Sequence, residues 1–276
     1  MRAGVFQACT GTDPLLNARM LVEAVDRAAG EGADMLFTPE MSGLLDRDRA
    51  RADRSIVRED EDVALAAVRE AAAKQGLWVH LGSIAVRADQ GAIPYANRSF
   101  VIDDGGAIRA RYDKIHLFDV DLPGGESWRE SAAYVSGSRA VAVDTPWGRL
   151  GLSVCYDLRF PDLYRALSDA GATILIVPAA FTVPTGRAHW HLLLRARAIE
   201  AGAYVIAAAQ SGTHQDGRST FGHSLAVDPW GDVLLDMGEG TGVALVDLDM
   251  DRIDEVRGRI PALRHRRAIG SVEVAS

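Results

Sequence analysis

Cysteine is scarce in this chain: two residues in 276, Cys9 and Cys155. One possible pair is no disulfide framework, and two thiols cannot build a Cys-rich zinc site. Such a count suits a reducing compartment, so the expected location is cytoplasmic. No run of about 20 apolar residues occurs, so no membrane span is expected. Basic charge is not in excess either: Lys plus Arg number 30 against 38 Asp plus Glu, a formal net charge of −8. That balance gives no electrostatic footprint for nucleic acid or an anionic membrane, and neither is expected as a partner. The opening Met1-Arg2-Ala3-Gly4-Val5-Phe6 leads into a strand-like pattern that soon meets polar residues, so no signal peptide is expected. No linker or composition break divides the chain. What remains is ordinary for a globular protein, 48% hydrophobic and 25% charged, with enough length to bury a core without staples. The expected organisation is one domain over residues 1–265 and a C-terminal tail over 266–276.

Hydrophobic patterning predicts strands over residues 2–8, 35–38, 77–86, 97–102, 108–112, 139–143, 149–154, 173–177, 203–208, 221–227, 233–235 and 243–248. Helices are predicted over 15–29, 63–74, 161–170, 187–201 and 250–258. Asp103-Asp104-Gly105-Gly106 reads as a hairpin turn. Hairpins mixed with helical crossovers argue for an α/β layered protein with a mixed sheet. The tripeptide Pro-Trp-Gly recurs at 146–148 and 229–231, each time between strands, which suggests two similar sheet halves. Residues 114–138 show no clear period, and so long a segment inside a compact domain is usually functional.

Three positions could carry chemistry. Cys155 follows the apolar strand Leu150-Gly151-Leu152-Ser153-Val154 and precedes a helix that starts at Pro161. A nucleophile at a strand-to-helix turn stands clear of the sheet with free backbone N–H groups beside it. A helix start would also lower its thiol pKa. Cys9, at the end of the first strand, reads as a small core hydrophobe. The seven histidines carry no local signature, and His189 and His191, two apart on a helix, face different directions and make a poor metal pair. Glu40 directly follows the apolar strand ending in Phe37-Thr38-Pro39; it is either exposed at the sheet edge or set in a pocket at the carboxyl end of the sheet. Lys114 stands in Tyr112-Asp113-Lys114-Ile115-His116-Leu117-Phe118 and acquires interest only in company.

Taken together, Thr38-Pro39-Glu40, Tyr112-Asp113-Lys114-Ile115-His116-Leu117-Phe118-Asp119 and Cys155-Tyr156-Asp157-Leu158-Arg159-Phe160-Pro161 resemble the nitrilase superfamily of carbon–nitrogen hydrolases, in that family's order and across nearly the whole chain. The resemblance implies a four-layer α-β-β-α sandwich that associates through helices as a homodimer or higher homo-oligomer. It implies Glu40 as general base, Lys114 as cationic stabiliser and Cys155 as nucleophile. Glu130, in Trp128-Arg129-Glu130-Ser131, matches the second glutamate of many members, with Glu126 as the competing position. The implied reaction is hydrolysis of a small-molecule amide by water through a thioester, with neither metal nor organic cofactor. Lys114 and the Tyr156 N–H would hold the oxyanion.

The later segments, Thr185-Gly186-Arg187-Ala188-His189-Trp190, Leu194-Arg195-Ala196-Arg197-Ala198-Ile199-Glu200, Gly222-His223-Ser224 and Asp228-Pro229-Trp230-Gly231, resemble the Nit branch, above all its deaminated-glutathione amidases. The related ω-amidases, acting on 2-oxoglutaramate and 2-oxosuccinamate, are the alternative, and a catalytically dead scaffold is the non-enzyme one. Met41-Ser42-Gly43-Leu44-Leu45, after Glu40, departs from eukaryotic members in a segment that borders the pocket. Each such substrate carries a carboxylate beside a 2-oxo group, so an acidic protein must supply a local cation. Arg159, four residues past Cys155, is a candidate, with a salt bridge to Asp157 or Asp162 as its other reading. Arg187 and His189 follow as further candidates from the stretch before the 194–200 helix.

Overall fold

The computed structural model describes residues 1–88, 93–121, 125 and 127–275. The first half opens with β1 (Arg2–Gln7), α1 (Pro14–Gly30) and β2 (Met35–Phe37), continues through α2 (Arg49–Asp53), α3 (Val63–Gln75) and β3 (Trp78–Arg87), and reaches β4 (Tyr95–Ile102) and β5 (Ile108–Asp113). Local chemistry sets these boundaries. Asp13 accepts from the Leu15 and Leu16 N–H groups (2.9 and 3.3 Å) while Pro14 takes the first helical position. Asp62 caps α3 through the Leu65 N–H (2.8 Å), and Gly76 ends it in the left-handed region at φ 62°. A small hairpin, β6 (Asp119–Asp121) with β7 (Ser127–Arg129), then occupies the segment without sequence periodicity.

The second half contains β8 (Ala142–Thr145), β9 (Gly148–Leu152), α4 (Pro161–Asp169), β10 (Ile174–Ile176), α5 (Val183–Ala201) and β11 (Tyr204–Ala207). It continues with β12 (Ser211–Thr213), β13 (Ser219–Phe221), β14 (Leu225–Val227), β15 (Val233–Asp236), β16 (Gly242–Asp247) and α6 (Asp251–Arg259). Two six-stranded sheets result, in the orders β16-β1-β2-β3-β4-β5 and β15-β14-β11-β10-β9-β8.

Strand alternation explains the layers. On one face of the first sheet Ala3, Val5, Met35, Phe37 and Val101 join the core built by Leu150, Leu152, Ile174, Ile176 and Ile206 of the second sheet. On the other face Phe6, Leu36, Val79, Leu81 and Phe100 pack with Leu21, Val25 and Ala28 of α1 and Leu65, Val68 and Ala72 of α3. Leu163 and Leu167 of α4 and Trp190, Leu194 and Ala198 of α5 cover the far side of the second sheet. The protein is therefore a four-layer α-β-β-α sandwich. Among the described residues no helix is long and apolar enough to cross a membrane.

Three expectations change. The strand expected over 221–227 is two strands, because Gly222 and His223 both turn to positive φ, 72° and 54°; β13 pairs with β12 and β14 with β11. The helix expected from 187 begins at Val183, where Pro184 suits a first turn, so Arg187 and His189 sit within α5. Both Pro-Trp-Gly turns lie in the second sheet, at its opposite edges, joining β8 to β9 and β14 to β15. The two halves do resemble one another, but in strand order rather than in that tripeptide. Read from β16 and from β8, both sheets run antiparallel, parallel, parallel, antiparallel, antiparallel.

Candidate active site

Glu40 is carried three residues beyond β2, Lys114 one residue beyond β5, and Cys155 three residues beyond β9. All three are buried, and they line one cavity of about 370 Å³. The loop that carries Glu40 lies hard against β3. Gly82 donates to Thr38 Oγ1 (3.0 Å), and Ser42 N donates to the Ser83 carbonyl (2.8 Å). A side chain at Gly82 would begin 2.0 Å from the Thr38 carbonyl oxygen, so only glycine permits this approach.

Backbone strain gathers here. Among the described residues the non-glycine positions with positive φ are Met41 (56°), Cys155 (50°) and His223 (54°). Two of them are the nucleophile candidate and the residue after the base candidate. Such conformations cost about 1–3 kcal/mol each and persist only where the surroundings enforce them. At Cys155 the enforcer is Asp157, fully buried on the five-residue 3₁₀ turn Cys155–Arg159. Its carboxylate accepts from Val154 N (2.8 Å), Tyr112 Oη (2.7 Å), His116 N (3.0 Å) and His116 Nδ1 (2.6 Å). The turn is thereby tied to both flanks of Lys114.

Charge is arranged as a chain. Lys114 Nζ donates to Glu40 Oε1 (3.0 Å) and straddles Glu130 (3.1 and 2.9 Å). Asn97 Nδ2 donates to Glu40 Oε1 (2.9 Å) and Glu130 Oε1 (3.3 Å). Ala180 N donates to Glu40 Oε2 (2.8 Å), and Phe118 N to Glu130 Oε2 (2.7 Å). Of the two loop glutamates, Glu126 lies outside the described residues and Glu130 reaches Lys114.

These contacts fix the protonation states. Burial pushes the Glu40 carboxyl up, but the Lys114 charge and hydrogen bonds from Cys155, Lys114 and Ala180 outweigh it and hold the pKa below the ordinary value. Burial alone would strip Lys114 of its proton, yet Glu130 and Glu40 hold its pKa well above normal. For Cys155, burial and then the Glu40 charge push the thiol well up, and Lys114 offsets this only in part. The lowered thiol pKa expected from a helix start is therefore absent. A short 3₁₀ turn follows Cys155, and α4 begins only at Pro161. The resting site is a neutral thiol, a carboxylate and an ammonium buried together.

Such a site can take a proton from sulfur only as the sulfur attacks. Next to the sulfur, Tyr156 N–H lies in the first turn of the 3₁₀ segment, where backbone donors lack intrahelical acceptors. Tyr156 also lines the cavity.

The expected substrate cations are not brought together with these groups. Arg159, Arg187 and His189 are not among the residues lining the cavity. Arg159 packs over the Phe181 and Tyr156 rings, 5.4 and 5.9 Å from their centres, and its Nη1 lies 3.3 Å from His189 Nδ1. Neither Asp157 nor Asp162 pairs with it; Asp157 is spent on the turn. The arginines that do line the cavity are Arg47, Arg49, Arg129 and Arg218. Arg218 stacks on Trp128, 5.0 Å from the ring centre, and the buried Trp128 Nε1 has no hydrogen-bond partner. Sequence reasoning missed Arg218 and Asn97. The signal for Asn97 is its polarity within the buried strand Tyr95–Ile102; Arg218 carries no comparable mark.

His191, His223 and Asp236 form the described group whose ligand atoms lie close enough together, within 4.8 Å, to hold a metal ion. None of them lines the cavity. Here Asp236 accepts from His191 Nε2 (2.9 Å) and His223 Nδ1 (2.8 Å), joining α5 to β15.

Comparison with known proteins agrees with this chemistry. The carbon-nitrogen hydrolase family model matches residues 2–258. A deaminated glutathione amidase of Yersinia enterocolitica is 37% identical over 269 residues, covering 97% of this chain and 93% of the relative. The crystal structure of the Caenorhabditis elegans NitFhit protein superposes with a TM-score of 0.88 at 37% identity, covering 96% of this chain and 65% of that longer one. An amidase variant from Nesterenkonia sp. AN1, with an acetamide moiety added covalently at its active-site cysteine, gives a TM-score of 0.80 at 27% identity, covering 97% and 94%.

Proposed function

This chain belongs to the carbon-nitrogen hydrolase family, and on that footing we propose that it is an amidase acting on deaminated glutathione, with Glu40, Lys114 and Cys155 as its catalytic triad. The observation that carries the reading is Lys114, 2% exposed and 3.0 Å from the Glu40 carboxylate, buried in one cavity with Cys155.

Glu40 takes the thiol proton as Cys155 Sγ attacks the amide carbonyl. The developing oxyanion is stabilised by Lys114 and the Tyr156 N–H, donors worth about 3 kcal/mol each in a dry site. Glu40 returns the proton to the departing amine, leaving a thioester on Cys155. The same carboxylate then removes a proton from water, which attacks the thioester and frees the 2-oxo acid and the thiol. Glu130 does not touch the reacting atoms. It braces Lys114 and balances its charge, so that the ammonium remains directed at the site. The chemistry of this cycle is complete with side chains, backbone and water.

The competing ω-amidase reading shares every catalytic step and differs in the leaving group. The deciding experiment compares kcat/KM for deaminated glutathione and 2-oxoglutaramate. A higher value for deaminated glutathione is expected; a large preference for the smaller amide overturns the substrate assignment. We further read the protein as a cytoplasmic homodimer or higher homo-oligomer. The exposed apolar side chains Leu192 and Ile199 of α5 (70% and 53% exposed) support association through that helix. Light scattering that finds only monomer overturns this.

A further inference from the structure

An acidic protein that takes an anionic substrate needs a cation with hydrogen-bonding capacity to spare. Among the described residues five cationic side chains line the cavity. Lys114 is paired with Glu40 and Glu130 and belongs to the reacting centre. Arg129 is consumed by Asp121, on which its Nη2 sits bidentately (2.9 and 3.0 Å), and by the Val120 and Trp128 carbonyls. Arg49 donates to the Arg129 carbonyl (2.7 Å). Arg47 is exposed at the rim.

Arg218 differs from all of these. Its side chain is 15% exposed and held from two directions: Nε donates to Asp216 Oδ2 (2.6 Å), and the guanidinium lies over Trp128. Asp216 is itself saturated, accepting from Arg47 N (2.9 Å) and Arg218 N (3.0 Å) as well. Burial would push its carboxyl up, but the Arg218 N–H and guanidinium, with the Arg47 N–H, bring the pKa below normal, so the anchor is ionised. Both Nη groups of Arg218 remain without a protein partner among the described residues, and neither is a buried orphan. A positioned guanidinium with its outer fork free is a receptor for a carboxylate.

We propose that Arg218 binds the carboxylate of the leaving amine, which makes this an amidase for amides whose leaving group is an amino acid or peptide with a free C-terminus. The inference rests on the amidase reading above. Position selects the leaving-group end. Cys155, Lys114 and Glu40 are buried at the floor, whereas Arg47, Arg49 and Ser127 are exposed at the mouth beside Arg218. A two-residue leaving group spans about 7 Å when extended, the longer of the two arms from the scissile carbonyl. The acyl arm, with its carboxylate only four bonds away, stays near the floor.

The test is a cycle of two proteins and two substrates. Deaminated glutathione and its analogue with the glycine carboxylate converted to a carboxamide are compared on wild-type and Arg218→Gln protein. The expected wild-type preference for the carboxylate is about thirtyfold in kcat/KM, carried by KM. In Arg218→Gln the two substrates should fall within about threefold of each other, and Arg218→Lys should restore part of the preference. A folding defect would lower both substrates together and leave their ratio intact. A wild-type enzyme indifferent to the carboxylate, or a variant that keeps the full ratio, overturns the assignment. If neither compound is hydrolysed the amidase reading fails by itself. The same pair titrated calorimetrically into Cys155→Ala protein then decides on Arg218: equal affinities, or no binding, overturn it.

Discussion

From β1 through α1, β2, α3 and β3 into the β4–β5 hairpin, the first half follows the same path as β9, α4, β10, α5 and β11 into the β14–β15 hairpin. Corresponding strand ends carry different chemistry. Beyond β1 stands Cys9 and beyond β9 stands Cys155. Beyond β2 stands Glu40, where the second half has Ala179 and then the Ala180 N–H that binds Glu40. Beyond β5 stands Lys114, where β15 is followed by Met237. The proposed base and ammonium therefore come from one half and the proposed nucleophile from the other. The site exists only where the two sheets stack. A duplicated scaffold supplies two equivalent sets of strand ends, and function needs just one thiol, one carboxylate and one amine among them.

The sharpest way to break this comparison is through its two cysteines. Cys9 Sγ lies 3.6 Å from the Thr213 carbonyl and 3.7 Å from His214 Nδ1, its pKa is raised by burial, and no carboxylate among the described residues accepts from it. Cys155→Ala should lower kcat/KM by about 10⁴-fold or more, whereas Cys9→Ser should leave most of the activity. Loss of turnover in a folded Cys9→Ser protein would mean that the wrong half has been given the nucleophile.

That Glu40, Lys114 and Cys155 belong together was legible in the sequence because each stands in a short local motif, and local motifs survive without three-dimensional information. The helices were legible for a similar reason: Asp13, Asp62 and Gly76 cap α1 and α3 through contacts within a few residues. What could not be read was whatever depends on register between distant strands. Asn97 of β4 reaches Glu40, carried beyond β2, across the intervening β3, and Ala180 reaches it across the stacked sheets. Arg218 was hidden behind the expected strand over 221–227, whose real break at Gly222 releases β13 to pair with β12 and present Arg218 from the preceding loop to the cavity. Arg159, promoted by its proximity to Cys155, is instead turned onto aromatic rings.

The next effect in size tests how closely the base loop must sit. Gly82→Ala adds a carbon 2.0 Å from the Thr38 carbonyl oxygen and 2.4 Å from that of Pro39, both backbone atoms. The loop must retreat, and Glu40 with it. Overpacking of this kind costs about 1–3 kcal/mol of stability, and a misplacement of about 1 Å in a reacting group can cost roughly 100-fold in kcat. Urea unfolding together with kcat reads both. A variant with wild-type kcat would show that the close approach is incidental.

Asp157→Asn makes the matching test on the other half. The carboxylate satisfies four donors, and an amide keeps one acceptor oxygen for them. Stability should fall by about 2 kcal/mol or more, and kcat by roughly tenfold as the Cys155 turn relaxes. The two effects separate if His116, stacked on Phe160 at 3.6 Å, holds the turn without the carboxylate; denaturant midpoint would then fall while kcat stays at the wild-type value.

The smallest expected effect is an absence of change, and it bears on how the two halves share one proton. Glu40 must be ionised to accept from the thiol. Its pKa lies below the ordinary 4.5, so the carboxylate form persists as pH falls to that value and is lost only beneath it. The Cys155 thiol must be protonated at rest, and its pKa lies well above the ordinary 9.0, so alkali removes that proton only beyond it. Both conditions hold across the whole interval between the two ordinary values. The profile of kcat/KM, which reports the free enzyme, should therefore be flat from about pH 5 to about pH 9 for a substrate that does not itself titrate there. A thiolate–imidazolium pair would instead give a bell with a limb in the histidine range. An acid limb near pH 6 or 7 would mean that Glu40 has lost its hold on Lys114 and Ala180. In that case the halves do not meet in solution as they meet here.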